Sequence, residues 1–244
     1  MILAAGRGER MRPLTDTVPK PLQTVYGKPL IFWQVQRLAA AGFTDLVINH
    51  AWLGDQIEAA IGDGARWGVS VRWSREGTAL GTAGGVATAL PLLTAPAFAL
   101  VSADLYTTYD YARLKAPLAA LTHEPQGTTE AHLVLVKNPR YPRDFSLHQQ
   151  RVVKAGQDAG TYGNIGVFRR RFFEMLAPGR SAELGPLLHA AVARGALSGE
   201  WLEGRWANVG TAADLEQLQS LAPSGTDPNL GTDPHGAPSS GEQT

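Results

Sequence analysis

The chain has 244 residues, with 22 basic and 22 acidic side chains, 44% apolar content and no cysteine. That length permits one large α/β domain or two small ones, and the apolar share is ample for a core. Zero net charge gives no electrostatic case for nucleic acid or an anionic membrane surface, and the lack of cysteine excludes disulfides and thiolate metal sites.

In chain order, Met1–Ala5 is a short apolar strand, and its start at residue 1 suggests a native beginning slightly upstream. A glycine-rich loop follows. Pro29–Ala41 carries Ile31, Val35 and Leu38 on one helical face, with Gly42 as a stop. Leu46–Asn49 reads as a buried strand, Leu53–Ile61 as a helix, Val69–Trp73 as a strand of period two, and Thr82–Leu90 as a helix. Phe98–Ser102 is a buried strand, Tyr111–Leu121 a helix and His132–Lys137 a strand. This alternation predicts a mostly parallel, Rossmann-like α/β sheet with helices on both faces, and ligands at the carboxyl ends of its strands.

From Asn138 the pattern loosens. Phe145–Leu147, Val152–Lys154 and Asn164–Phe168 predict short strands of a smaller mixed or antiparallel sheet, and Leu184–Ala193 predicts a helix. Trp206–Val209 reads as a strand, and Thr211 with Asp214 as a capping box for the last helix. The expected division is a domain over residues 1–221 in two parts, one to about 137 and a second from about 138. Residues 222–244 turn to Ser, Thr, Gly, Pro and Asp and read as a disordered tail. No signal-peptide pattern or membrane-spanning apolar run occurs, which makes the cytoplasm the default expectation.

The chemistry concentrates in the first loop, Gly6-x-Gly8-x-Arg10, followed by Pro13-Leu14-Thr15 and Pro19-Lys20-Pro21. Glycines let backbone N–H groups approach a phosphate, and Arg10 can fork onto its oxygens. Lys20 sits between two prolines that restrict its backbone. The alternative is a plain turn with surface cations. Glu76-Gly77-x-x-Leu80-Gly81-Thr82-Ala83-Gly84-Gly85 follows a strand and opens a helix, as a frame for a flat base or as a tight packing site. Asp104, just past a buried strand, fits a Mg²⁺ ligand or a turn aspartate. Asn208 offers an amide oxygen to a hard cation, or is a polar turn residue. The six histidines lack metal-ligand spacing.

Taken in order, Leu3-Ala4-Ala5-Gly6-x-Gly8-x-Arg10-x-x-Pro13-Leu14-Thr15 through Pro19-Lys20-Pro21, then Glu76 to Gly85, Asp104 and Asn208-Val209-Gly210-Thr211, the chain resembles the sugar-1-phosphate nucleotidylyltransferase family over about residues 1–221. The resemblance implies an enzyme acting on UTP and a sugar 1-phosphate with Mg²⁺ as cofactor; the sequence does not fix the oligomeric state, for which a monomer is favoured. It assigns the part to about residue 137 to nucleotide binding and the part from about 138 to sugar binding. It implies that Leu3, Ala5, Gly6, Gly8, Glu9, Arg10 and Lys20 hold the nucleotide, together with Glu76, Gly81, Thr82 and Gly84. It implies that Arg10, Lys20 and Asp104 carry catalysis. Asp144, Asn164 and Gly166 would face the sugar, and Asp104 and Asn208 would bind the metal. Two departures stand out: family members often have glycine where this chain has Ala103, and aspartate where it has Asn208. Asparagine keeps one ligand oxygen and loses a charge, so weaker metal affinity with retained activity is the expectation. Alternatives from the same motifs are a mannose-1-phosphate guanylyltransferase, a glucose-1-phosphate enzyme using UTP or dTTP, and a non-catalytic nucleotide-sugar-binding subunit.

Overall fold

The computed structural model describes residues 1–124 and 126–221, so the predicted tail lies outside the described residues. The elements run β1 (Ile2–Leu3), α1 (Leu14–Thr17), β2 (Thr24–Val25), β3 (Lys28–Pro29), α2 (Leu30–Ala40), β4 (Asp45–His50), α3 (Gly54–Ile61), β5 (Ser70–Arg75), α4 (Gly81–Ala89), β6 (Ala97–Ser102) and β7 (Leu105–Thr107). They continue α5 (Lys115–His123), β8 (Ala131–Val136), β9 (Phe145–His148), β10 (Arg151–Lys154), β11 (Ala159–Arg169), α6 (Leu184–Ala193), β12 (Leu197–Trp201), β13 (Trp206–Asn208) and α7 (Ala212–Ser220).

Nine of the strands form one sheet, ordered β5-β4-β1-β6-β11-β8-β12-β10-β9. Strands β5, β4, β1 and β6 run parallel, joined by crossovers that contain α2, α3 and α4. The strands of the second half are antiparallel to their neighbours, except β12 beside β8, but they extend the same sheet and do not build a second one. The reason is β11, which inserts between β6 and β8 and fuses the two halves. Strand β13 stands apart and pairs with β7.

Both faces are covered, as a parallel sheet requires. Ile2, Ile48, Val101 and Ile165 pack under Ile31, Val35 and Leu38 of α2 and Ile57 and Ile61 of α3. On the other face Val47, Leu100, Leu133 and Phe168 meet Val86 of α4 and Leu188 of α6. A third cluster matters more for the site: Met11 of the glycine loop packs with Trp33, Tyr106, Val209 and Leu215. It ties that loop to the segment around Asn208. Helix α2 ends as its sequence predicts. Gly42 takes φ 77°, its N–H reaches the Ala39 carbonyl at 2.8 Å, and the Phe43 N–H reaches Leu38 at 2.9 Å, a Schellman motif. Among the described residues no helix is long and apolar enough to cross a membrane.

Candidate active site

Register brings the motifs to one rim. Leu3 pairs with Asn49 and with Ser102, and Asn49 pairs with Ser74, so the ends of β1, β4, β5 and β6 are level. Past those ends the chain turns into the glycine loop, Glu76 and Asp104, as the alternation predicted.

The glycine loop is braced from within. Gly8 sits at φ 71°, and a Cβ there would come 2.9 Å from the Thr15 methyl. Thr15 is fully buried and its hydroxyl donates to the Gly8 carbonyl at 2.8 Å. This explains why Thr15 belongs to the motif: it closes the loop. Arg7 serves structure too. Its guanidinium lies 3.5 Å from the Trp52 ring centroid and donates to the Thr15 carbonyl at 3.1 Å.

Two chambers open above the rim. One, of about 180 Å³, is lined by Leu3, Gly6, Gly8 and Glu9 of the loop and by Arg10, Lys20 and Asp104, with Gly210 opposite. The other, of about 190 Å³, is lined by Ala5, Gly6, Asn49, Gly81, Thr82 and Ser102. Leu3, Gly6 and Asp104 are common to both, so the chambers meet at the carboxylate. Lys20 Nζ forms an ion pair with Asp104 Oδ2. Arg10 has no ion pair among the described residues, and its Nη2 lies within 3.0 Å of where a Gly210 Cβ would stand.

Asn208 itself lines neither chamber. The Val209 N–H donates to the Asp104 carbonyl at 2.9 Å, which sets the backbone of the Asn208 segment beside that of Asp104. Asn208 Oδ1 is buried without a hydrogen-bond partner among the described residues. A buried amide oxygen left unpaired costs free energy, and a cation would relieve it. Three neighbours fix this turn. Tyr141 donates to the Asn208 carbonyl at 3.2 Å, with its ring against Trp206. Burial, and then the Asp214 carboxylate, raise the Tyr141 pKa, which keeps the hydroxyl protonated as a donor. Asp214 accepts the Gly210 and Thr211 N–H groups at 3.0 and 2.9 Å and pairs with Arg140. Burial opposes ionisation of Asp214, but the hydrogen bonds from Thr211, Arg140 and Gly210 outweigh it and hold its carboxyl below the usual range.

Other sequence candidates lie elsewhere. Glu76 sits behind the chamber edged by Gly81 and Thr82, with both oxygens taken by Asn49 and the Leu80 N–H. The missing side chain of Gly84 faces the Arg180 carbonyl, where a Cβ would come to 2.3 Å, so this glycine serves packing. Asp144 stands at the start of β9, its N–H donating to the Gly160 carbonyl at 2.9 Å. Asn164 has φ 56° at an irregularity in β11, and Gly166 is squeezed against the His132 carbonyl. None of these three lines either chamber. The bulge does approach the site indirectly, because Trp206 Nε1 donates to the Gly163 carbonyl at 2.9 Å. Tyr141 is a residue that motif reading missed, while Asn49 reads only as a strand end on the predicted rim and Gly210 only as part of the Asn208–Thr211 motif.

Residues 1–141 match the family model described as nucleotidyl transferase. The chain belongs to the nucleotidyl transferase family. This transferase is 45% identical to the N-acetylmuramate alpha-1-phosphate uridylyltransferase of Neisseria meningitidis serogroup B, over 91% of this chain and 97% of the relative. It is 33% identical to the mannose-1-phosphate guanyltransferase of Schizosaccharomyces pombe, over 88% of this chain and 61% of that longer relative. Solved nucleotidyl transferases share its Rossmann-like fold. A UDP-glucose pyrophosphorylase from Acinetobacter superposes with a TM-score of 0.68 at 15% identity, covering 89% of this chain and 90% of that one.

Proposed function

We propose that this transferase moves a uridylyl group from UTP to N-acetylmuramic acid α-1-phosphate, giving UDP-N-acetylmuramic acid and pyrophosphate, a reaction that would serve peptidoglycan recycling. The observation that carries this reading is the similarity, over nearly the full length of both chains, to a relative named for that reaction. The paired chambers support it. The chamber with Arg10 and Lys20 suits a triphosphate, the chamber edged by Asn49, Gly81 and Thr82 suits a base, and they join where the α-phosphate would lie.

In the reaction, a phosphate oxygen of the sugar 1-phosphate forms a bond to the α-phosphorus, the α–β bridging bond breaks, and pyrophosphate leaves with the electron pair. The attacking group is already anionic at neutral pH, so no general base is needed. The obstacle is repulsion between two anions, and Lys20 and Arg10 would offset it and stabilise charge in the transition state. Holding both substrates in line supplies much of the rest. Asp104 and Asn208 would hold Mg²⁺, an assignment resting on a carboxylate that lines both chambers and a buried, unpartnered amide oxygen on the backbone segment bonded to it. Bound there, the ion would neutralise phosphate charge. Asp144 and the Asn164–Gly166 bulge would contact the sugar from the β9–β11 side.

The test is pyrophosphate release with Mg²⁺ across UTP, dTTP and GTP against the 1-phosphates of N-acetylmuramic acid, glucose and mannose. UTP with N-acetylmuramic acid α-1-phosphate is expected to exceed every other pair by tenfold or more. A higher rate for GTP with mannose 1-phosphate, or for a glucose 1-phosphate pair, would overturn the reading.

A further inference from the structure

Asn49 and Glu76 form a buried link between the two chambers. Asn49 is 1% exposed and Glu76 4%. Asn49 Oδ1 accepts the Ala4 N–H at 3.0 Å, at the point where β1 runs into the phosphate side. Asn49 Nδ2 donates to Glu76 Oε1 at 2.6 Å, and Glu76 Oε2 accepts the Leu80 N–H at 3.0 Å, where the base side begins. The Glu76 N–H is in turn tied to the His50 carbonyl at 2.8 Å. The contact is tight: a Cβ on Gly85 would come 2.6 Å from Glu76 Oε1 and 2.7 Å from Asn49 Nδ2. That explains the second glycine of Gly84-Gly85.

The arrangement is costly for mere packing. Glu76 is a buried carboxylate with no ion pair among the described residues, satisfied only by N–H donors. An apolar pair would fill the same space without that desolvation cost. What an apolar pair would not do is fix the Ala4 backbone relative to the Leu80 backbone.

We propose that Asn49 and Glu76 are positioning residues that hold the phosphate side and the base side of the site at a set separation. A nucleoside triphosphate is then bound as one ligand, with each half raising the effective concentration of the other. Glu76 in this role does not read the base. The inference rests on the UTP reading above.

The experiment measures, by calorimetry with Mg²⁺ and no sugar phosphate, the affinities for UTP, UMP and inorganic pyrophosphate. It compares wild type with Glu76→Leu and Glu76→Gln, which break the link from outside both chambers, and follows each protein's melting. The expected result is UTP binding weakened at least tenfold in both variants, with UMP and pyrophosphate each within threefold of wild type. Three outcomes overturn the proposal. UTP binding could stay within threefold. UMP could weaken as much as UTP, which would make the pair direct contacts to the nucleoside half. All three affinities could fall together with the melting temperature, which would make the link structural. If Glu76→Leu fails to fold, Glu76→Gln carries the test, because it keeps the shape and loses one acceptor. Failure of the UTP reading shows separately, as a wild type that binds GTP or dTTP better than UTP.

Discussion

Lys20 and Asp104 form an ion pair, and nucleotidylyl transfer asks each of them to answer a different charge. In the proposed reaction Lys20 would turn toward phosphate and Asp104 toward a cation, and both side chains are only partly exposed, at 12% and 24%. A cation aimed into a small chamber at the junction is worth far more to a transition state than one in bulk water. Replacing Lys20 with methionine, which fills similar space without charge, is expected to lower kcat by a hundredfold or more, about 2.7 kcal/mol. Steady-state pyrophosphate release measures it, and a loss under tenfold would remove Lys20 from the transferring phosphate. Asn208 predicts a different signature. Asn208→Ala deletes a buried oxygen that has no hydrogen-bond partner among the described residues, so the Mg²⁺ concentration for half-maximal activity should rise by about tenfold, roughly 1.4 kcal/mol of cation affinity. A magnesium titration at saturating UTP reads this, and an unchanged midpoint would separate Asn208 from the metal.

At the scale of elements, α7 and α4 show how short segments are held by single contacts. Helix α7 opens with Thr211 and Asp214 in a reciprocal capping box, and Asp214 also carries the Gly210 turn beside Arg10. Thr211→Ala is therefore expected to cost about 1 kcal/mol in urea denaturation. A neutral result would mean that the Asp214 side of the box suffices. Helix α4 meets the Arg180 carbonyl so closely that Gly84→Ala should cost about 1–3 kcal/mol, even though alanine favours helices. Stability at or above wild type would show that this backbone contact yields. The sequence made the capping box and the Gly42 stop legible because both depend on local spacing. It made other elements illegible for equally physical reasons. Strand β12 holds Gly199 amid mixed side chains, so neither period nor β-propensity marks it, and only its place between β8 and β10 makes it a strand. Strand β11 runs 11 residues, but Asn164 at positive φ breaks the alternation and hides its first half. The role of Gly84 was hidden too, because its partner at Arg180 is far away in sequence.

In the whole molecule the parallel half of the main sheet makes the two chambers, and β13, outside that sheet, brings Asn208 back to β7. The parallel half was readable because each crossover is local. The return of β13 to β7 was not, since nothing near Trp206 names Leu105 as its neighbour. Beyond the site, a polar cluster clamps the antiparallel half to the segment between β7 and α5. Glu200 of β12 accepts from the Tyr109 hydroxyl, pairs with Arg113, and lies 3.8 Å from His132 Nε2 of β8. Burial pushes the Glu200 pKa up, but the His132 imidazole, the Tyr109 hydroxyl and the Arg113 guanidinium together bring it down to about 2, from 4.5. A carboxyl whose pKa is lower in the folded state contributes stability above its unfolded pKa and loses it as pH falls toward the folded one. The clamp should therefore hold fully at pH 6, weaken below about 4.5 and contribute little at pH 2. Glu200→Gln keeps the shape without the charge, so its stability deficit against wild type should be largest near pH 6 and shrink steadily as pH approaches 2.5. Urea denaturation of both proteins across that range measures the difference, and a deficit that stays constant with pH would mean that the clamp acts through shape and neutral hydrogen bonds, not through the Glu200 charge.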